Sequence, residues 1–467
     1  MRQLAFLLAT VVLAGCVRFK PQPLPSSETA ARFEQRSLDN PDLKQFLEKN
    51  LRHELSTWPL ASWDLTALTM AAFYYHPDLD IARAKWSGAK AALIYGGERP
   101  NPSVSLSPAY DTTTPPPWIL GLSFDIPVET AGKRGYRIAQ ARHLSDAARL
   151  NVAATAWQVR SRVRRSLLEL YTARETESAQ RQQAEAQAKI VGLLEKQVEA
   201  GAASPIELAQ ARINLNTTRL ASQDAQRQSA EARVQMADAL GLPASASNEV
   251  KLSFMGLNEF PKDLMTSDVR RQAALNRTDI LGALAEYAAS QAALQLEIAK
   301  QYPDLHLGPG YQLDQTDNKW SLGVTLTLPV LNQNQGAITG AKARREEAAA
   351  RFVSVQAKAL NEIDRAVAGY QAARQQTATA EALLADLKKR RDTTQAMLDA
   401  GEVDNLAVAA AQAEFSAGAL AQLNSLVKTQ QALSALEDAV QSPLSAADAH
   451  AWENNPRLTN DPAPKRK

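Results

Sequence analysis

Residues 102–127, PSVSLSPAYDTTTPPPWILGLSFDIP, and residues 303–329, PDLHLGPGYQLDQTDNKWSLGVTLTLP, are two versions of one pattern, and that pattern decides the fold. Pro102, Pro108 and Tyr110 return as Pro303, Pro309 and Tyr311 at one constant shift, and Ala200-Gly201 returns as Ala400-Gly401. So steady a register marks an internal duplication, making the chain two copies of one supersecondary unit. In the first copy Leu120, Leu122, Phe124 and Ile126 alternate with Gly121, Ser123 and Asp125. In the second, Trp320, Leu322, Val324, Leu326 and Leu328 alternate with Ser321, Gly323, Thr325 and Thr327. Period two predicts strands with one apolar and one polar face, about the nine residues a tilted strand needs to cross a bilayer. Partner strands are expected at 103–110 and 305–312, ahead of strands 118–126 and 319–328.

Proline is absent between Pro127 and Pro205 and again between Pro329 and Pro443, and both stretches are rich in Ala, Gln, Glu, Arg and Leu. Strong helix formers without a breaker predict long helical hairpins, over 133–242 and 337–441. At about 1.5 Å per residue, a helix from Lys133 to Ala200 runs roughly 100 Å, too long for a globular domain to bury. Ala200-Gly201-Ala202-Ala203-Ser204-Pro205 supplies a glycine terminator, a serine N-cap and a proline at the first helical position. Its counterpart, Ala400-Gly401-Glu402-Val403-Asp404-Asn405, offers Gly401 and the cap Asp404. Ile190, Leu194 and Val198, and on the return helix Ile206, Ile213 and Leu220, have the spacing of a packing seam. Leu406, Leu420 and Val427 follow one heptad phase and Leu426, Leu433 and Val440 another, predicting neighbours on two sides.

The chain has 467 residues, 45% of them hydrophobic, and a formal charge of +2, so no concentrated basic face argues for nucleic acid. Residues 1–16 end in Leu13-Ala14-Gly15-Cys16 after a short apolar run, a secretory signal whose end resembles a bacterial lipobox, with Cys16, the single cysteine, as the lipid anchor. Residues 17–62, with Pro21, Pro23 and Pro25, read as an extended tether. The first repeat is placed at 63–243, a linker at 244–264, the second repeat at 265–442 and a flexible tail at 443–467. Two strand pairs cannot close a barrel with a lumen, and open edges are not tolerated in lipid, so several chains are required.

These residues resemble the TolC-like outer-membrane factors, from Trp63-Asp64-Leu65-Thr66-Ala67-Leu68 and His76-Pro77-Asp78-Leu79 through the second hairpin. The resemblance implies a mainly α fold with a small membrane β-barrel, closed in a homotrimer as an α/β-barrel tunnel. It implies an exit duct of a tripartite efflux system in the outer membrane of a Gram-negative bacterium, working with a periplasmic adaptor and an inner-membrane transporter. Glu129-Thr130-Ala131-Gly132-Lys133-Arg134-Gly135 and Leu328-Pro329-Val330-Leu331-Asn332-Gln333-Asn334-Gln335-Gly336 look most like its CzcC branch, which exports heavy-metal cations. By the same resemblance Gly201, Ser204, Pro205, Glu207, Leu208, Gly401, Asp404, Asn405 and Leu406 contact the adaptor, although these are also turn and cap residues. The aspartate ring that closes the periplasmic mouth in family members falls on Ala407 and Ala410 here, leaving Glu402, Asp404 and Glu414 as the nearby carboxylates for a gate.

Ser123, Asp125, Thr325 and Thr327 fall on the polar side of their strands, which in a barrel faces the lumen. Trp118 and Trp320 sit at strand ends, where aromatic belts meet headgroups. Arg160, Arg162, Arg164 and Arg165 form a basic patch that reads as a solvated or ion-paired helix face. Enzymatic readings are weak, because Ser87-Gly88-Ala89-Lys90 lacks companion motifs and the five histidines show no ligand spacing, so neither catalysis nor a cofactor is expected. The competing functions are a periplasmic adaptor and a coiled-coil scaffold lipoprotein without a pore.

Overall fold

The structure, a computed structural model, describes residues 19–52, 54–113, 115–247, 250–257, 260 and 267–444. Its elements run α1 (Ser26–Glu34), α2 (Pro41–Leu51), α3 (Leu65–Tyr75), α4 (Pro77–Gly97), β1 (Ser103–Tyr110), β2 (Trp118–Val128), α5 (Lys133–Glu199) and α6 (Pro205–Leu240). After a 3-10 turn at Ala244–Ser247, the order repeats as α7 (Ser267–Asn276), α8 (Thr278–Ala299), β3 (Leu305–Asp314), β4 (Asp317–Leu326), α9 (Gln335–Asp399) and α10 (Asn405–Val440).

The four strands form one antiparallel sheet in chain order. Ser105 opposes Ser123 and Leu106 opposes Leu122, Leu122 and Ser123 oppose Tyr311 and Gly310, and Tyr311 opposes Trp320. The β3–β4 connection is tighter than the predicted loop, a two-residue turn at Gln315-Thr316 with Gln315 at φ 58. Both strands therefore extend further toward it than expected.

Both long helices begin just after a residue in the left-handed conformation, Gly132 at φ 73 and Asn334 at φ 59. They also end alike. Gly201 N donates to Val198 O at 3.0 Å and Ala202 N to Gln197 O at 2.7 Å, while Gly401 N donates to Leu398 O and Glu402 N to Met397 O, each at 2.9 Å. This paired pattern around a positive-φ glycine is the Schellman motif, which closes the last helical carbonyls without a side chain.

The main core lies where α2, α3, α5 and α6 converge, around Leu43, Phe46, Leu47, Leu68, Phe73, Val163, Leu167, Met236 and Leu240. Here the structure corrects the tether predicted over 17–62. Pro25 and Pro41 sit at helix starts, and Leu38, Leu43, Phe46 and Leu47 are buried in this core. Proline fits the first turn of a helix because its missing N–H has no partner there anyway. The 244–264 linker is likewise tied in where described, since Trp63 bridges Leu252 in parallel and Phe254 packs on the core.

A second correction concerns the seam. Ile206, Ile213 and Leu220 are 79%, 57% and 68% exposed, so they do not face α5. The contact uses the neighbouring phase instead, with Ala211 and Leu215 against Val191 and Leu194. Ala211 lets the axes approach, and Ile206, Ile213 and Leu220 are left outside. On α10 both predicted phases are used, since Leu426, Val427, Leu433 and Val440 are all buried and the helix packs on both α9 and α5.

A buried ionic cluster ties the two hairpins together at this level. Arg160 lies 2.9 Å from the Glu437 carboxylate, Arg164 binds the same oxygen, and Glu437 is 1% exposed. Burial favours the neutral acid, but the two guanidiniums outweigh it and hold the Glu437 carboxyl below the usual carboxylate range. The predicted basic patch therefore divides: Arg162 pairs with Asp78, and Arg165 is exposed.

Candidate functional site

The register sorts the sheet's side chains into two chemically opposite faces, because side chains alternate along each strand. Leu106, Leu120, Leu122, Phe124, Tyr311, Leu322 and Val324 share one face. Ser105, Ser107, Gly121, Ser123, Asp125, His306, Gly308, Gly310, Ser321, Gly323 and Thr325 share the other. No described element covers either face. Leu106 is 70% exposed, Leu322 73% and Val324 61%, an uninterrupted apolar surface of a kind that water-soluble monomers do not leave open.

Aromatic pairs mark the hairpin end of the apolar face. Tyr110 meets Trp118 at 5.1 Å between ring centroids and Tyr311 meets Trp320 at 4.8 Å. The outer strands β1 and β4 each pair on one side only, so their remaining backbone donors and acceptors face outward. In hydrocarbon those groups must find partners.

The opposite end of the sheet is bolted to the helices. Lys133 Nζ donates to Tyr302 O at 2.7 Å and to Asp304 at 2.8 Å, and Thr130 N donates to Asp304 at 2.9 Å. Arg137 grips Glu129, and that hydrogen bond above all keeps the Glu129 carboxyl below its usual range. These contacts fasten the sheet to the start of α5.

Of the residues expected on the polar face, Ser123, Asp125 and Thr325 lie there, while Thr327 falls just past the end of β4. Sequence reasoning missed His306. Its Nδ1 lies 2.9 Å and 3.1 Å from the two Asp125 oxygens, a pairing across β2 and β3 that no local motif announces.

The two hairpin tips lie side by side at the far end. Ser204 Oγ accepts from Ile206 N at 3.2 Å while the Glu207 carboxylate accepts from Ser204 N at 3.4 Å, a reciprocal cap with Pro205 at the first helical position. Asp404 accepts from Ala407 N at 2.9 Å through one oxygen and from Gln197 Nε2 at 3.3 Å through the other, linking the tips. Leu208 and Leu406 pack on the Val191–Leu215 cluster, whereas Gly201, Gly401 and Asn405 are exposed. Of the three carboxylates considered for a gate, Asp404 caps a helix, Glu414 sits 2.8 Å from Arg390, and Glu402 is exposed. Cys16 lies outside the described residues.

No helix among the described residues is long and apolar enough to cross a membrane. No group of three or more His, Cys, Asp and Glu among the described residues is placed to hold a metal ion.

The profile of the family described as "Outer membrane efflux protein" matches residues 75–242 and 269–440, the two repeats in turn. The cobalt-zinc-cadmium resistance protein CzcC of Cupriavidus metallidurans is 25% identical over 226 residues, covering 48% of this chain and 53% of that protein. The chain thus matches about half the length of this curated relative. Among solved structures, the outer membrane protein VceC of Vibrio cholerae superposes with a TM-score of 0.66 at 21% identity, over 82% of this chain and 97% of that one. The Campylobacter jejuni CmeC outer membrane channel superposes with a TM-score of 0.67 at 18% identity, over 94% of this chain and 98% of that one. At these identities the superpositions establish a shared fold.

Proposed function

The chain belongs to the outer membrane efflux protein family, and from that premise we propose that it is the outer-membrane channel of a tripartite export system, active as a homotrimer. Three four-stranded sheets close a twelve-stranded barrel, apolar face to lipid and Gly/Ser/Thr face to a water-filled lumen. Three pairs of hairpins continue that lumen through the periplasm. The observation that carries this reading is the sheet: two opposed faces, both uncovered, and two unpaired edges on a body only four strands wide. A lone copy can satisfy neither its edges nor its apolar face.

The hairpin tips are the part presented to a periplasmic adaptor, through which an inner-membrane transporter delivers cargo. Gly201, Ser204, Pro205, Glu207 and Leu208, with Gly401, Asp404, Asn405 and Leu406, form that surface. Their capping roles support the reading, since a fixed turn is a good docking edge. Cys16 carries lipid at the membrane. The CzcC relative's name concerns cobalt, zinc and cadmium, and we carry divalent heavy-metal cations to this chain as the proposed cargo.

Planar-bilayer recording tests the channel. Purified protein is expected to give long-lived unitary openings. A preparation that inserts without conducting would instead favour an adaptor or a scaffold.

A further inference from the structure

We propose that Asp125 and His306 form a weak contact site for borderline-soft divalent cations on the lumen wall, one per protomer and three around the assembled barrel. The inference rests on the reading of the polar face as the lumen lining. An ionised carboxylate accepts hydrogen bonds and cannot donate, so the bond to Asp125 places the imidazole proton on Nδ1. Nε2 is then left with a free lone pair. A carboxylate behind a histidine in this way fixes its tautomer and ring orientation, the arrangement that supports histidine as a metal ligand. No other hydrogen bond to His306 occurs among the described residues, and its side chain is 38% exposed on the polar face.

The surroundings favour a fleeting cation over a resident one. The register neighbours of His306 are Pro127 and Thr325, and the neighbour of Asp125 on β1 is Ser103, so no second strong ligand converges within the protomer. The middle of the same face is Gly121, Ser123, Gly308, Gly310, Ser321 and Gly323, small and uncharged, while the next charged pair, Asp314 with Lys319, lies at the opposite end of the strands. An ion leaving the periplasmic tunnel therefore meets this carboxylate-backed imidazole at the helix-ward entrance of the barrel. A conducting path needs contacts favourable enough to admit an ion and weak enough to release it. Imidazole selects zinc, cobalt and cadmium over magnesium, whose preferred ligands are oxygens.

The pair is peculiar to this place in the chain. At the shift that carries Pro102 to Pro303 the counterpart of His306 is Ser105, and at the shift, one residue longer, that carries Pro127 to Pro329 the counterpart of Asp125 is Thr327, so neither partner is repeated in the other copy.

The test uses the full-length protein in planar bilayers, with Zn2+ or Mg2+ added to the hairpin side at matched ionic strength. In the wild type, Zn2+ is expected to produce brief current blocks that Mg2+ does not. His306→Gln should abolish the difference between the two ions, and Asp125→Asn should weaken the Zn2+ block by about tenfold, the lower range for loss of an outer-shell partner. Both variants should still form detergent-stable trimers, which shows that their folding is intact. Equal effects of Zn2+ and Mg2+ on the wild type, or a Zn2+ block that survives His306→Gln, would overturn the site while leaving the channel reading in place. Failure of the wild type to conduct would overturn the channel reading, and the site with it.

Discussion

The first hairpin is sealed at its tip by oil and the second by charge. Between α5 and α6, Val191 and Leu194 are buried against Ala211 and Leu215, with Ile190, Ala203 and Leu208 around them. At the same depth of the second hairpin, Arg390 pairs with Glu414 at 2.8 Å and the Arg391 guanidinium stacks 4.3 Å from the Phe415 ring. Past Thr377 no residue of α9 is buried. Duplication supplied one architecture, and the copies then diverged in how their long helices adhere. The Schellman turns are alike in both because backbone geometry leaves little choice there. Seams are free to differ, since a surface ion pair holds two helices in register for less energy than a buried leucine does.

The difference also shows in what surrounds each seam. A polar cavity of about 560 Å³ opens beside the second hairpin, lined by Tyr171, Arg374, Glu381, Gln422 and Leu426. Near its end Gly418 leaves room for Leu384 and Leu387, a close approach rather than an interlocked core. The first hairpin does carry an ion pair, Arg212 with Glu195, but it lies outside the apolar cluster. The first hairpin is therefore the frame, and the second is the half that ionic conditions can loosen.

The cluster that joins the hairpins carries the largest expected effect. Glu437→Ala leaves Arg160 and Arg164 buried without their carboxylate and is expected to cost about 3–5 kcal/mol. Because the folded pKa of Glu437 is depressed, its stabilisation is present at neutral pH and is lost as pH falls below the unfolded value of about 4.3. Denaturant melts of wild type and variant between pH 3 and pH 7 check this. Curves that stay equally far apart across that range would remove the linkage.

Leu194→Ala comes next, at about 2–4 kcal/mol for a buried leucine at a site that cannot fully collapse. Hydrogen exchange should show it as faster exchange confined to the α5–α6 tip. Unchanged protection there would mean that the apolar cluster is not what closes the first hairpin.

Gly201→Ala and Gly401→Ala are expected to cost about 1–2 kcal/mol each, because an L side chain is strained in the left-handed region both residues occupy. Equal losses would support the view that turns are common to both copies while seams are not. A large loss in one and none in the other would break it.

Arg390→Ala is the smallest, under about 1 kcal/mol for a largely exposed pair, and should vanish at high salt. Protection of the α9–α10 tip measured in low and high salt checks it. A salt-insensitive second hairpin would abolish the contrast.

Much of this was legible in the sequence, for physical reasons that can be named. Period-two alternation revealed β2 and β4, and glycine followed by a cap revealed both tips, because those signals are local. The helices of the amino-terminal segment were hidden by their prolines, which count against structure in general but favour the first turn of a helix. The α5–α6 seam was hidden by size, since Ile206, Ile213 and Leu220 outweigh Ala211 in any reading that looks for large apolar residues. His306 with Asp125 and Arg160 with Glu437 lie far apart in the chain, and only strand register and helix packing bring them together.

The central claim is that one chain is a third of a pore. Native mass spectrometry of the protein extracted from the outer membrane in mild detergent tests it most directly. A dominant ion at three times the mature chain mass is predicted. Monomers that persist after gentle extraction and still bury their apolar sheet face would contradict it.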